Sequence, residues 1–212
     1  MKPPHAKLAL FYTGGLALVA LLYVTSQAID TLARLDVVER ERDRWQRPSE
    51  IIQALDLKPG AVVLDLGSGA GYFALKLAPI AGKVWAVDLR KESLAFLWIR
   101  AHLRGRRNVT IIVGGEEDPH LPGVADAVLI VNTYHELTQR RAILEHVRES
   151  MVSGGRLVIA DRGPEMENSH HGLPLASVVE EIVRAGFAIV RTEDRFLDQP
   201  GEGPWWLIVA RK

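Results

Sequence analysis

The sequence predicts an α/β protein: a doubly wound, mostly parallel seven-stranded sheet with an antiparallel C-terminal strand pair, preceded by one transmembrane helix. Three observations carry that expectation. From Ala61 to Ala185, short apolar runs alternate with segments of helical periodicity, the pattern of parallel strands joined by crossover helices. The last two apolar runs have only a short loop between them, which requires antiparallel pairing. The amino terminus differs from everything after it, with no charged side chain from Leu8 to Ile29.

Composition bounds the function. The 212 residues allow one ordinary domain and a short appendage. With 48% hydrophobic and 25% charged residues, the chain can bury a sizeable core. Its 26 Lys and Arg balance 26 Asp and Glu, so it lacks the electrostatic footprint of nucleic-acid binding, and no nucleic-acid partner is expected. The absence of cysteine excludes disulfide scaffolds, Cys-ligated zinc, iron–sulfur clusters and thiol nucleophiles.

As a helix, residues 8–29 reach about 33 Å, enough for a hydrocarbon layer of roughly 30 Å. Tyr12 and Tyr23 stand near the ends of the dense apolar part, as interfacial aromatics do. Lys2 and Lys7 precede the run, whereas Arg34, Arg40, Arg42, Arg44 and Arg47 follow it, so the C-terminal side is expected to face the cytoplasm. Small residues Ser26 and Ala28 also suit a cleavable signal peptide with export of the rest, and a buried core helix is a third reading. The expected organisation is an anchor over 1–29, a helical stalk over 30–47 and an α/β domain over 48–212. In the stalk, Leu32, Leu35 and Val38 form one stripe among alternating charges.

Pro48 suits the first turn of a short helix over Ser49–Leu55. The run AVVLDLG, ending in glycine, reads as a strand buried on both faces. A helix over Tyr72–Ile80, a strand in KVWAVDL and a helix over Glu92–Arg104 follow. Strands are expected over Asn108–Val113 and Ala125–Val131, a helix over Leu137–Met151 and a strand over Arg156–Ala160 after two glycines. A helix over Leu175–Ala185 precedes the terminal strands FAIVRTEDRF and PWWLIVARK.

Parallel α/β sheets bind ligands at the carboxyl ends of their strands, so the turn after the first strand is the place to look. It reads Asp65-Leu66-Gly67-Ser68-Gly69-Ala70-Gly71, a backbone able to turn sharply and approach a nucleotide. The dinucleotide spacing G-x-G-x-x-G would need glycine where Tyr72 stands, and no Walker-type Lys-Ser/Thr pair follows. A second acid, Asp88, ends the second strand 23 residues after Asp65, where a carboxylate can accept both hydroxyls of a ribose; a helix-capping Asp is the alternative.

From about Trp45 to Lys212 the sequence resembles the class I S-adenosylmethionine-dependent methyltransferases, whose first motif is an acidic residue followed by G-x-G-x-G. The resemblance implies a Rossmann-like methyltransferase fold and S-adenosylmethionine as cofactor. It implies that Asp65, Gly67, Ser68, Gly69 and Gly71 surround the methionine portion, that Asp88 binds the ribose, and that Leu89 lies against adenine. Glu116 and Glu117, in Gly115-Glu116-Glu117-Asp118-Pro119, are the candidates for the adenine edge, although an exposed acidic turn accounts for them equally.

The fourth strand ends in Asn132-Thr133-Tyr134-His135-Glu136, which places Asn132 beside the cofactor and Tyr134 and His135 toward the acceptor. The Asn/Asp-Pro-Pro-Tyr string of many amino methyltransferases is absent, and the resemblance is to small-molecule methyltransferases. His135 is the candidate base for a hydroxyl or thiol acceptor, with helix capping or packing as the bland alternative. His170 and His171 are candidates for the acceptor pocket, and Trp45 is either a lid over it or a core-packing residue. No metal is expected, because no H-x-H or H-E-x-x-H spacing exists.

The expected reaction is in-line methyl transfer from S-adenosylmethionine to a small or lipid-like acceptor, with an oxygen or sulfur nucleophile favoured. The enzyme is expected to be single-pass, with membrane contact through residues 8–29 and a cytoplasmic catalytic domain. Two alternatives remain: an NAD(P)-dependent oxidoreductase on a Rossmann fold, and a non-catalytic, membrane-anchored nucleotide-binding module.

Overall fold

The structure, a computed structural model, describes residues 4–164, 172–199 and 203–212. It divides into two compact units, residues 1–41 and 42–212.

Helix α1, Pro4–Trp45, runs without a break through the expected anchor and stalk. Leu18, Val19, Leu21, Leu22, Tyr23, Val24 and Ile29 are all more than half exposed. Its described stretch Leu18–Trp45 is long and apolar enough to cross a membrane.

In the second unit, α2 (Pro48–Ala54) leads into β1 (Val62–Leu66), α3 (Tyr72–Leu77), β2 (Lys83–Asp88), α4 (Lys91–Leu103), β3 (Val109–Val113) and β4 (Ala125–Val131). A 3₁₀ turn over Tyr134–Glu136 then precedes α5 (Arg140–Glu149), β5 (Met151–Arg162), α6 (Leu175–Arg184), β6 (Ala188–Gln199) and β7 (Gly203–Arg211). The sheet order is β3-β2-β1-β4-β5-β7-β6. The first five strands are parallel, and β7 runs antiparallel to both β5 and β6, as the missing crossover requires.

Alternation along the strands divides the core between the two faces of the sheet. Val63 packs with Ile51, Phe73, Leu94 and Leu97, on the side of α2, α3 and α4. Leu64 and Leu66 pack with Ile143, Leu144, Val178 and Ile182, on the side of α5 and α6. The strand order reverses between β1 and β4, where Leu66 is in register with both Val87 and Ile130, so the three strand tips end level. That is the switch point at which such sheets open a crevice.

Two elements depart from expectation. The helix expected over Leu137–Met151 starts only at Arg140, because the 3₁₀ turn intervenes, and Met151 opens the next strand instead. That strand is longer than Arg156–Ala160: Met151 pairs with Ala125, and the register shifts before Ala127 pairs with Arg156. Gly154 absorbs the turn at φ +77°, a left-handed conformation that favours glycine.

Trp205 on β7 is 1% exposed within the first core. Trp205→Ala is expected to destabilise the domain by about 3–5 kcal/mol, read from the midpoint of a reversible denaturant titration.

Candidate functional site

The loop from β1 to α3 lies over the switch point. The N–H groups of Gly67 and Ser68 both donate to the Val87 carbonyl, at 2.8 and 2.9 Å, and Gly71 N–H donates to the Ser68 carbonyl at 2.8 Å. The loop's glycines do different jobs. A Cβ on Gly67 would lie 2.2 Å from the side chain of Thr133, so this glycine admits the neighbouring strand tip. Gly69, at φ +51°, has nothing within 4 Å of such a Cβ, so its face is open to a ligand.

Two carboxylates flank this loop. Asp88, 7% exposed, accepts the Gly69 N–H on Oδ2 at 2.8 Å and the Arg90 N–H on Oδ1 at 2.9 Å. It therefore holds the loop and takes the Arg90 N–H; the N-cap of α4 is Arg90 and carries no side-chain cap bond, so Asp88 is not the helix cap. Arg90 Nε also reaches Oδ1, at 3.4 Å, so it is Oδ2 that keeps acceptor capacity for a further donor. Asp65 is 2% exposed, and its Oδ2 meets no partner. Burial pushes its carboxyl up to about 7; the Ala74 N–H and the Arg42 charge oppose the rise, and the Asp88 charge adds to it. Asp65 and Asp88 stand on neighbouring strands, Asp88 as the last residue of β2 and Asp65 one residue before the end of β1. Ser68 Oγ is also buried without a partner. Open backbone at Gly69, orphaned acceptors at Asp65 and Ser68, and a carboxylate at the neighbouring tip fit a ligand with an amino acid at one end and a ribose at the other.

Leu89, 52% exposed, stands next to Asp88 as an apolar surface for a flat ring. Glu116 and Glu117 are exposed at the tip of a turn closed by Gly115 N–H donating to the Asp118 carbonyl at 2.7 Å. The structure brings neither glutamate into a buried contact.

At the tip of β4, Asn132 adopts a left-handed φ of +53°. Its Oδ1 accepts from Arg162 Nε and an Arg162 terminal nitrogen at 3.1 and 2.9 Å, so it ties β4 to β5. His135 is gripped by Asp161, the wholly buried residue near the end of β5. Its backbone N–H donates to Asp161 Oδ2 at 3.0 Å, and its ring Nδ1 lies 2.8 Å from Asp161 Oδ1, which also accepts the Arg162 N–H at 2.8 Å. The ring is only 14% exposed, with Nε2 3.8 Å from the Glu136 carboxylate. This is a positioned imidazole.

Two expectations need correction. Tyr134 does not line a pocket: it is wholly buried in the α5/α6 core and donates to Glu181 at 2.7 Å, with Arg140 on the same carboxylate. Burial and the Glu181 contact push its hydroxyl well above the usual tyrosine range. Trp45 packs edge-to-face on Trp205 at 5.5 Å and joins the first core as a half-buried residue, which is the packing alternative and not a lid. Van der Waals contact with another large aromatic outweighs a mobile cover. His170 and His171 lie outside the described residues. Among the described residues no group of three His, Asp or Glu side chains converges to hold a metal ion.

Sequence reasoning placed Asp161 at the ligand edge of the sheet, as an acid closing an apolar strand, but did not join it to His135. The pairing of Arg42 with the buried Gln46 had no signal, because both sit in a charged helical stretch that reads as solvated.

Comparison with known proteins gives a family likeness and a fold likeness. Residues 64–159 match the model of the methyltransferase domain family. The ribosomal protein L11 methyltransferase of Thermus thermophilus is 31% identical over 159 residues, covering 73% of this chain and 54% of that protein. A protein-L-isoaspartate O-methyltransferase of Aeropyrum pernix is 30% identical over 123 residues, covering 55% of this chain and 45% of that protein. The chain thus spans about half the length of the curated relatives it matches. The crystal structure of an S-adenosylmethionine-dependent methyltransferase from Aquifex aeolicus superposes with a TM-score of 0.69 at 22% identity, over 85% of this chain and 96% of that one. The sheet is the Rossmann-like methyltransferase fold, and residues 64–159 are similar to the methyltransferase domain family.

Asp65 supplies a test of the site. Its folded-state value, about 7, lies above the ordinary 3.8, so the fold takes up a proton between those limits. The resulting stability is full at the acid end and is lost as pH rises through about 7. Asp65→Asn is expected to remove that slope and to raise the melting temperature at pH 8, measured by thermal denaturation of the ligand-free protein.

Proposed function

We propose that this chain is an S-adenosylmethionine-dependent methyltransferase whose acceptor is a protic oxygen or sulfur nucleophile on a small or lipophilic molecule. The observation that carries the acceptor class is the His135 ring, fixed 2.8 Å from the wholly buried Asp161 carboxylate at the ligand edge of the sheet. An acceptor already ionised near neutral pH has no use for such a pair. A phenol, alcohol or thiol does.

The cofactor supplies a methyl group already activated by its sulfonium. Asp88 accepts the ribose hydroxyls while keeping Gly69 in place, and Leu89 backs the adenine. Asp65 and Ser68 face the amino-acid end. With Nδ1 toward a carboxylate, the neutral His135 ring carries its proton there and leaves Nε2 to accept one. His135 Nε2 takes the acceptor's proton as the nucleophile forms, and Asp161 stabilises the resulting imidazolium. The walls of the crevice hold donor and nucleophile in line and keep water out, and this positioning outweighs the acid–base contribution.

The apolar α1 and the arginines that follow it support a tether with the domain on the cytoplasmic side, where a lipophilic acceptor is within reach. The nicotinamide alternative loses ground at Tyr72, which fills the place of a third glycine and is 6% exposed in the core.

Screening lipid and small-molecule extracts with labelled methyl donor is expected to reveal an acceptor bearing a hydroxyl or thiol. With it, His135→Ala should lower kcat by about 10²- to 10⁴-fold. Full turnover from the variant across pH 6 to 9 would discard the base assignment. In calorimetric titration, Asp88→Ala is expected to weaken cofactor binding by about 1.5–3 kcal/mol, the range for hydrogen bonds to a charged group. An unchanged affinity would take Asp88 out of the ribose site.

A further inference from the structure

Away from the cofactor loop, the corner where α4 ends and the edge strand β3 begins carries a cluster of its own. Gly105, at φ +64°, ends the helix: its N–H donates to the His102 carbonyl at 3.0 Å, and the Arg106 N–H donates to the Ala101 carbonyl at 2.8 Å. A cavity of about 310 Å³ lies at this turn, lined by Trp98, His102, Arg106, Arg107, Val109 and Ile111. The Asn108 side-chain amide donates to the Ala78 and Ala81 carbonyls at 2.8 and 2.9 Å, which brings Ile80, just after α3, to the same corner.

Three large apolar side chains stand in water here: Leu103 is 75% exposed, Trp98 54% and Ile80 52%. The charge around them has one sign, because no acidic residue occurs from Ser93 to Gly115, a stretch with four arginines. Arg100 turns inward and donates to the Ala70 carbonyl at 2.6 Å, whereas Arg104 and Arg107 are exposed and Arg106 is half-buried. Arg106 Nε is buried with no partner, a costly placement for a charged donor unless an anion meets it. Glu116, Glu117 and Asp118 lie beyond the far end of β3, roughly 13 Å away along the strand. Exposed apolar groups beside charge of one sign are the complement of an anionic bilayer: indole and aliphatic side chains enter the boundary of headgroups and acyl chains, and guanidinium groups meet phosphates. The cavity has the volume of a small ligand site, and guanidinium forks bind phosphate bidentately. A nucleic acid has the same charge but no acyl layer to receive Leu103 and Ile80, and the chain carries in α1 a helix long and apolar enough to reach into a bilayer.

We propose that this corner docks on an anionic phospholipid bilayer, with Trp98, Leu103 and Ile80 in the interface and a lipid phosphate held by Arg106 and Arg107. It is a membrane contact separate from α1, and it depends on headgroup charge. It requires neither the cofactor nor the acceptor assigned above.

The chain has no cysteine, so Leu103→Cys carries a single nitroxide at an exposed position. With the full chain reconstituted in vesicles, collisions of the label with oxygen, which concentrates in lipid, and with a nickel chelate, which stays in water, read its depth. In phosphatidylcholine mixed with an equal part of phosphatidylglycerol the label is expected in the oxygen-rich layer, and in phosphatidylcholine alone it is expected in water. Concentrated salt should return it to water by screening the exposed charges. Arg107→Ser, at an exposed position, is expected to lower the ratio of immersed to aqueous label by about fivefold, the weight of one arginine at an anionic surface. An aqueous label in both compositions, equal immersion in both, or immersion that Arg107→Ser leaves unchanged overturns the proposal. Shielding from both probes would mean that a second copy covers the corner, and a label left in water by the mixed vesicles but immobilised by single-stranded RNA would assign it to nucleic acid; each of these also overturns the proposal. All of them leave the methyltransferase reading standing.

Discussion

The site depends on one backbone arrangement: the β1–α3 loop is fastened to the tip of β2 and not to its own strand. The Val87 carbonyl takes two loop N–H groups and the Asp88 carboxylate takes a third, so the loop is held open over the switch point. Level strand ends make this possible, since Leu66 is paired with Val87 on one side and Ile130 on the other. A slip of one residue in either pairing would reverse which side chains meet the crevice. The parallel register is therefore what leaves the Gly69 backbone open at the strand tips.

The same register explains why the charged groups near the crevice are so unequal. Asp88 accepts two backbone N–H groups and the Arg90 side chain, whereas Asp65, one strand over, is buried with an oxygen unmet and holds its proton to about 7. An unmet carboxyl oxygen buried in this way is a cost that the fold carries.

At the neighbouring tips, β4 and β5 are tied together by side chains, as β1 and β2 are by the loop. Asp161 ends one strand and grips both the backbone and the ring of His135, which follows the other. Arg162 bridges to Asn132 across the same gap. A histidine fixed at two points by one buried carboxylate loses little entropy in reaching a productive orientation, which is the requirement for proton transfer in a positioned complex.

The α/β class, the seven strands, the antiparallel end and the loop with its two acids were legible in the sequence, because each rests on local patterning: apolar periodicity, glycine spacing and an acid at a strand end. Tyr134 shows where local reading stops. It adjoins His135 in the chain, yet the 3₁₀ turn sends it into the α5/α6 core while the histidine meets Asp161 at the ligand edge. Arg42 and Gln46 show the converse, since their neighbours in sequence are solvated charges and only the fold stacks Arg42 on Tyr72 and buries Gln46. Strand and turn identity follow from chain-local sterics, which a sequence displays; which polar side chains face one another follows from long-range contacts, and those exist only once the sheet has closed.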